Sequence, residues 1–319
     1  MPRFQALLTD YAWPNLHIER EIFAANDIEL IVAEQSDAAT LANLAVNADA
    51  IMTNWAKVPE SVIAAAPRCR IVSRLGIGLD NIDVAAATRR KILVTNVPDY
   101  CLTEVAEHSL ALILALGRKI AHYHLQTKQG VYDLQSGPEM RRIAGQTLGI
   151  VGLGNIGRCL VTKASAIGLK VIASSRRPRE PVDGVEWVDF DDLLRRSDYI
   201  SLHVPLTAET RHLLGAAQFA KMKPTAYLIN TARGGLIDTS ALADALAKGL
   251  IAGAGLDVQD TEPPDLTIAP YTDPRVIVTP HAAFVSIESL ENLRSRAVKQ
   301  VVDCFQGRTP ESVCNPEVL

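Results

Sequence analysis

Thr147-Leu-Gly-Ile-Val-Gly152-Leu-Gly154-Asn155-Ile156-Gly157-Arg158 is a short apolar run that passes into a Gly-x-Gly-x-x-Gly turn, and its reading decides the fold. Behind it come Ile156, Leu160, Ala164 and Ile167 at helical spacing, then Gly168 and a second apolar run at 170–173. Strand, glycine turn, helix and second strand make a complete βαβ unit, the context that lifts a glycine triplet above chance. Gly152 permits the tight turn, Gly154 admits a pyrophosphate close to the backbone, and Gly157 lets the helix pack on the strand. The N–H groups and dipole at the helix start favour phosphate. A dinucleotide site is therefore expected at Gly152, Gly154, Asn155, Ile156 and Gly157.

Working outward, the 319 residues are too many for one compact domain and comfortable for two, with 48% hydrophobic content to fill both cores. Apolar runs at 6–8, 28–33, 50–53, 71–73 and 92–95 alternate with helical spacing at 16–25, 41–46, 59–66 and 84–90. Such alternation predicts a parallel sheet covered on both faces. Asn96-Val-Pro98 breaks the rhythm, and 103–120 reads as a long interdomain helix opened by Thr103. A surface connection at 131–142 leads into the glycine turn. Further strands are expected at 199–202, 226–230, 253–257 and 276–279, with helices at 191–195 and 239–248. A last helix at 287–305 is expected to return to the N-terminal domain. The fold class is thus α/β: two doubly wound parallel-sheet domains, a flavodoxin-like substrate domain at 1–100 plus 287–319 and a Rossmann cofactor domain at 101–286. The default active site is the cleft between them.

Thirty-six acidic against 32 basic side chains give a net charge of −4 without charge runs, so there is no electrostatic footprint for nucleic acid. Met1-Pro-Arg-Phe4 lacks the form of a secretory signal, and the longest apolar segment, 110–116, is too short to span a bilayer, so a cytoplasmic protein without a membrane partner is expected. Five scattered cysteines without a C-x-x-C pair fit reduced thiols, and His122 and His124, two apart on a helix, diverge. No metal site is expected.

Three segments following expected strands carry the chemistry: Asn230-Thr231-Ala232-Arg233-Gly, Asp257-Val-Gln-Asp-Thr-Glu262-Pro and Thr279-Pro-His281-Ala-Ala-Phe284. An arginine, a carboxylate and a histidine at strand ends suit reduction of a 2-keto acid. Charge builds on the carbonyl oxygen as hydride arrives, and an imidazolium at His281 can protonate it. Glu262 would orient that ring and favour its charged form, while the forked donors of Arg233 would hold carboxylate and keto oxygens. Arg233 and Glu262 could instead form a structural ion pair. Asp257 reads either as a cofactor neighbour or as a turn cap.

The second strand of the βαβ unit runs into Ser174-Ser175-Arg176-Arg177, where an NAD-specific site ordinarily carries a carboxylate for the ribose hydroxyl. Hydroxyl donors and guanidinium groups suit a 2′-phosphate, so NADP(H) is favoured and NAD(H) stays open.

These motifs, in this order and with His203-Val204-Pro205-Leu-Thr-Ala-Glu-Thr210 between them, resemble the D-isomer-specific 2-hydroxyacid dehydrogenase family over essentially the whole chain. The resemblance implies Arg233, Glu262 and His281 as the catalytic set, with Thr231 and Asp257 beside the nicotinamide. It also implies cofactor contacts at His203, Val204, Pro205, Thr210 and Ala232, and a homodimer formed mainly through the cofactor domain. Arg74-Leu75-Gly76-Ile77-Gly78 is similar to the family's substrate-carboxylate loop, in which the N–H groups of Ile77 and Gly78 grip the acid; Arg74 is otherwise an ordinary strand-end charge. Arg74 together with Pro280-His281-Ala-Ala-Phe284 resembles most the branch that holds the C-terminal-binding-protein corepressors, which carry tryptophan where this chain has Phe284, a residue of the substrate pocket. The implied activity is reduction of a small 2-keto acid, glyoxylate or hydroxypyruvate first, to its D-2-hydroxy acid. A short phosphoglycerate enzyme and a dinucleotide-sensing binding protein stay open.

Overall fold

The computed structural model describes residues 2–176 and 180–319. The chain forms two compact units, one of residues 1–100 with 286–319 and the other of 101–285. Both are parallel α/β sheets, as the alternation of runs predicts.

In the first unit β1 (Phe4–Leu8), α1 (His17–Ala24), β2 (Ile28–Val32), α2 (Ala38–Ala45), β3 (Ala50–Thr53), α3 (Glu60–Ala64), β4 (Ile71–Arg74), α4 (Val84–Arg89) and β5 (Leu93–Thr95) follow in order. The sheet order is β2-β1-β3-β4-β5, so the chain reverses direction between β1 and β3, where loops at the carboxyl ends splay apart and leave room for a ligand. β3 and β4 are buried along their whole length, which is why they read as continuous apolar runs rather than alternating ones.

The second unit contains α5 (Leu102–Gly117), α6 (Ile120–Lys128), β6 (Thr147–Val151), α7 (Asn155–Ala166), β7 (Lys170–Ser174), β8 (Val185–Trp187), α8 (Phe190–Arg196), β9 (Tyr199–Leu202), α9 (Ala216–Phe219), β10 (Tyr227–Asn230), α10 (Thr239–Ala247), β11 (Gly253–Leu256) and β12 (Val276–Val278). Its sheet runs β12-β11-β10-β9-β6-β7-β8, a doubly wound order that reverses between β6 and β9. The final helix, α11 (Ile287–Phe305), lies in the first unit. Leu293, Ala297, Val298, Val301 and Phe305 pack with Ala6, Leu8, Phe23 and Ile71 there. At roughly 1.5–3 kcal/mol for each large apolar side chain taken out of water, this face is what seats the helix.

The structure corrects the helix expected at 103–120. Cys101 rather than Thr103 precedes α5, without a side-chain cap, and α5 ends at Gly117. Lys119 turns left-handed (φ 54°) and starts α6, which buries none of its residues and so has no apolar stripe to betray it. The three-residue edge strand β8 and the single-turn α9 are too short to show a period in sequence.

Candidate active site

The glycine turn lies at the reversal point of the second sheet. Gly152 has φ 90°, and a Cβ there would sit 2.7 Å from the carbonyl oxygen of His203, so the β6 turn packs on the end of β9 only because the side chain is missing. A Cβ at Gly154, by contrast, meets nothing within 4 Å, so the backbone faces open space. The next N–H groups, of Asn155, Ile156 and Gly157, have no protein acceptor among the described residues, and the first acceptor contact of this turn is Arg158 N–H to the carbonyl of Gly154 at 2.9 Å. Open space over a glycine and three orphan amides at a helix start fit the pyrophosphate of a dinucleotide.

Around this cradle, Ser174 is buried at the end of β7 and Ser175 half-buried beside it. Arg176 is exposed and pairs with Glu209 at 2.5 Å. Arg177 lies outside the described residues. Thr210 is buried and stitches its own loop, accepting from Thr207 N–H and donating to the Pro205 carbonyl at 2.7 Å each. The His203 ring lies 2.8 Å from Ser201 Oγ, and burial pushes its pKa down to about 4, so it stays neutral. Val204 packs against Gly152.

The loops after β10, β11 and β12 carry the expected catalytic residues. Asn230, fully buried, folds the first of them: its side chain donates to the Arg233 carbonyl (2.8 Å) and accepts from Ala232 N–H (3.1 Å). Gly234 brings that loop onto the second, because a Cβ there would lie 1.9 Å from the carbonyl carbon of Gln259. Arg233 donates to the Ala232 carbonyl at 2.8 Å. Glu262 Oε1 accepts from Gln259 N–H at 3.0 Å, and Oε2 lies 2.8 Å from His281 Nδ1. Burial alone would raise the Glu262 carboxyl, but the His281 hydrogen bond and charge, the Gln259 N–H and the positive charge of Arg233 outweigh it and hold it below the ordinary glutamate value. The carboxylate is ionised, so Nδ1 of His281 carries the proton between them and Nε2 is the nitrogen left for chemistry.

His281 sits in the left-handed region (φ 52°), which costs a side-chain-bearing residue roughly 1–2 kcal/mol. Asp257 holds it there. The Asp257 carbonyl accepts His281 N–H at 2.7 Å, and its fully buried carboxylate accepts from Thr279 Oγ1 (2.6 Å), Ala282 N–H (2.9 Å) and Ala283 N–H (2.9 Å). The turn-capping alternative for Asp257 is thus what its contacts display. Phe284, buried, meets the His281 ring edge-on with centroids 6.0 Å apart. Thr231, also buried, lies 2.9 Å from Ser109 Oγ of α5. Asn230 and Gly234 were missed as site residues, although both stand inside the motif that contains Arg233; the signal was an amide and a glycine flanking a charged loop residue.

In the first unit, Arg74 ends β4 with its side chain turned inward and only 6% exposed. Its guanidinium donates to the carbonyls of Gly78 (3.0 Å), Thr53 (3.5 Å) and Leu75 and to Asn54 Oδ1 (3.4 Å). With those carbonyls drawn inward, the N–H groups of Gly76, Ile77 and Gly78 have no protein acceptor among the described residues. Arg74 therefore braces the loop and is not a solvated strand-end charge.

No group of three or more His, Cys, Asp or Glu able to hold a metal ion is found among the described residues, and none of their helices is long and apolar enough to cross a membrane. A phosphate cradle and an imidazole aligned by a carboxylate, carried on loops of one parallel sheet, are the equipment of a nicotinamide-dependent oxidoreductase. The chain belongs to the D-isomer specific 2-hydroxyacid dehydrogenase family, whose NAD binding domain matches residues 110–283. It is 38% identical over 272 residues to a glyoxylate reductase of Thermococcus litoralis, covering 82% of each chain. It is 40% identical to the D-3-phosphoglycerate dehydrogenase of Mycobacterium leprae, with 90% of this chain covering 55% of that one. Among solved structures, the NADPH-dependent glyoxylate/hydroxypyruvate reductase of Sinorhizobium meliloti, in complex with NADP and malonate, superposes with a TM-score of 0.87 at 28% identity, covering 98% of this chain and 96% of that one. The match is to the family as a whole and does not single out the corepressor-like branch.

Proposed function

We propose that the chain reduces a small 2-keto acid of the glyoxylate or hydroxypyruvate kind to its D-2-hydroxy acid, with NADP(H) as the preferred cofactor and His281 as the proton donor. The reading rests on one observation above the others, the 2.8 Å contact of Glu262 Oε2 with His281 Nδ1. When bound, the nicotinamide supplies hydride to the keto carbon. Negative charge then grows on the keto oxygen, and Nε2 of His281 delivers a proton to it. Glu262 fixes the plane of the imidazole, and the guanidinium of Arg233 holds the substrate's carboxylate and keto oxygens. In the same reading the second unit is the cofactor domain, the first is the substrate domain, and the amides of Ile77 and Gly78 grip the acid group.

The cofactor preference follows from Ser174 and Ser175 at the end of β7, which stand where an NAD-specific strand end ordinarily carries a carboxylate. Arg176 is the partner for that phosphate once released from Glu209. Ser175→Asp should move the ratio of kcat/KM for NADPH over NADH towards NADH by about tenfold or more, a charge repulsion of some 1.4 kcal/mol; an unchanged ratio would remove this assignment. The activity itself is tested by absorbance at 340 nm with each cofactor and a panel of 2-keto acids. A sensor without turnover has no use for a proton donor aligned by a carboxylate, so tight cofactor binding with no oxidation on any panel member would overturn the enzymatic reading.

A further inference from the structure

Helix α5 contributes no residue to the proposed chemistry, yet two of its consecutive side chains reach the loops that carry it. His108 Nε2 lies 3.0 Å from Thr279 Oγ1 and 3.5 Å from Asp257 Oδ1. The single proton of the Thr279 hydroxyl goes to Asp257 at 2.6 Å, so Thr279 can only accept from His108, and His108 Nε2 must carry a proton. The chain of donors therefore runs from His108 to Thr279 to Asp257, the carboxylate that also receives the N–H groups of Ala282 and Ala283 around His281. Ser109 faces the other loop. Its hydroxyl donates to the Val105 carbonyl at 2.8 Å, so the Thr231 hydroxyl donates to Ser109 Oγ at 2.9 Å. Thr231 begins the loop that presents Arg233, two residues on.

We propose that His108 and Ser109 are positioning residues: a two-residue clasp on α5 that holds the Arg233 loop and the His281 turn in one register. The clasp deepens the catalytic reading above and rests on it for its effect on rate. Its physical logic is that loops from separate strands have no covalent reason to agree in height to within an ångström, and one rigid helix touching the loops after β10 and β12 through directional hydrogen bonds imposes that agreement. Misplacement of a catalytic group by about 1 Å can cost on the order of 10²-fold in rate. His108 must act through an N–H donor at the Nε2 position, which glutamine reproduces and phenylalanine does not.

His108→Phe should lower kcat on the order of tenfold or more while the KM for the keto acid and the Kd for cofactor change less than about threefold. His108→Gln should restore kcat to within about threefold of the parent, and Ser109→Ala should lose a few-fold. In the His281→Ala background the kcat penalty of His108→Phe should vanish, since the clasp works through His281. Equal kcat in the parent and His108→Phe, a Gln variant as impaired as the Phe variant, or an undiminished penalty in the His281→Ala background would each overturn the clasp. A crystal structure of His108→Phe reads the positioning without reference to activity: the Glu262–His281 contact should lengthen beyond hydrogen-bonding reach, and an unmoved pair sinks the proposal. Should His281→Ala alone leave turnover near normal, it is the proton-donor reading that fails, and the structural outcome still decides the clasp.

Discussion

The loop at 75–78 and the turn at 279–283 solve the same problem with opposite charges. Each follows a strand end and each is braced from behind by a buried ion, but Arg74 engages carbonyl oxygens whereas Asp257 engages N–H groups. A buried guanidinium has donors only, so it draws in the backbone's acceptors and leaves amides facing out; a carboxylate does the reverse. The first loop thereby leaves its amides without a protein acceptor among the described residues, and the second has its amides occupied and presents a side chain, His281. The sign of the brace determines which polarity of the backbone is available to a ligand. Both ions are held by several hydrogen bonds, the condition under which a buried charge is tolerated.

The contrast breaks most sharply at the side chain the second turn presents. His281→Ala keeps the Asp257 brace and removes only the imidazole, so kcat should fall on the order of 10²-fold or more with cofactor still bound. Steady-state rates together with cofactor binding by fluorescence check this; near-normal turnover would take His281 out of the proton-donor role. The first loop should behave differently. Arg74→Met leaves the carbonyls of Leu75 and Gly78 without their donor, the loop relaxes, and its amides lose their aim. On the proposed reading those amides hold substrate and transition state alike, so KM for the keto acid should rise about tenfold with kcat changed less than about threefold. A loss confined to kcat would show that the loop is not a binding device.

Much of this frame was legible in the residues themselves. The alternation of apolar runs and helical spacing shows two parallel sheets, because buried parallel strands are continuous in hydrophobicity and their crossovers are amphipathic. The glycine turn is equally local in sequence: the three glycines that mark it lie within Gly152 to Gly157. What escaped is whatever depends on contact across the chain. His108 reads as one more polar residue on an apolar helix, since its partner Thr279 is 171 residues away. Gly234 looks like loop flexibility until the Gln259 backbone is found against it. The inward turn of Arg74 escaped for a related reason: a strand-end arginine is ordinarily solvated, and only the folded loop gathers enough carbonyls to bury it.

His203 marks the limit of the comparison, a third ionisable group at a strand end, with a single ring hydrogen bond, to Ser201, among the described residues. Too few partners means that it gives up its charge: burial pushes its pKa down to about 4 from 6.5. The unfolded chain takes up a proton below pH 6.5 and the folded chain does not, so the stability linked to His203 is complete above pH 6.5 and is lost as pH falls towards 4. The ring keeps partial contact with solvent, which trims the effect to about 1 kcal/mol, the smallest expected here. Glu262 works in a separate window, since a carboxyl held below its ordinary value gives up its contribution only as pH falls beneath the glutamate range. Thermal unfolding midpoints of the parent and His203→Asn, followed from pH 7 to 4.5, should converge as the medium acidifies, because only the parent loses stability to this ring. Parallel curves would mean that the His203 ring takes up its proton alike in the folded and unfolded chain, and that burial does not strip its charge.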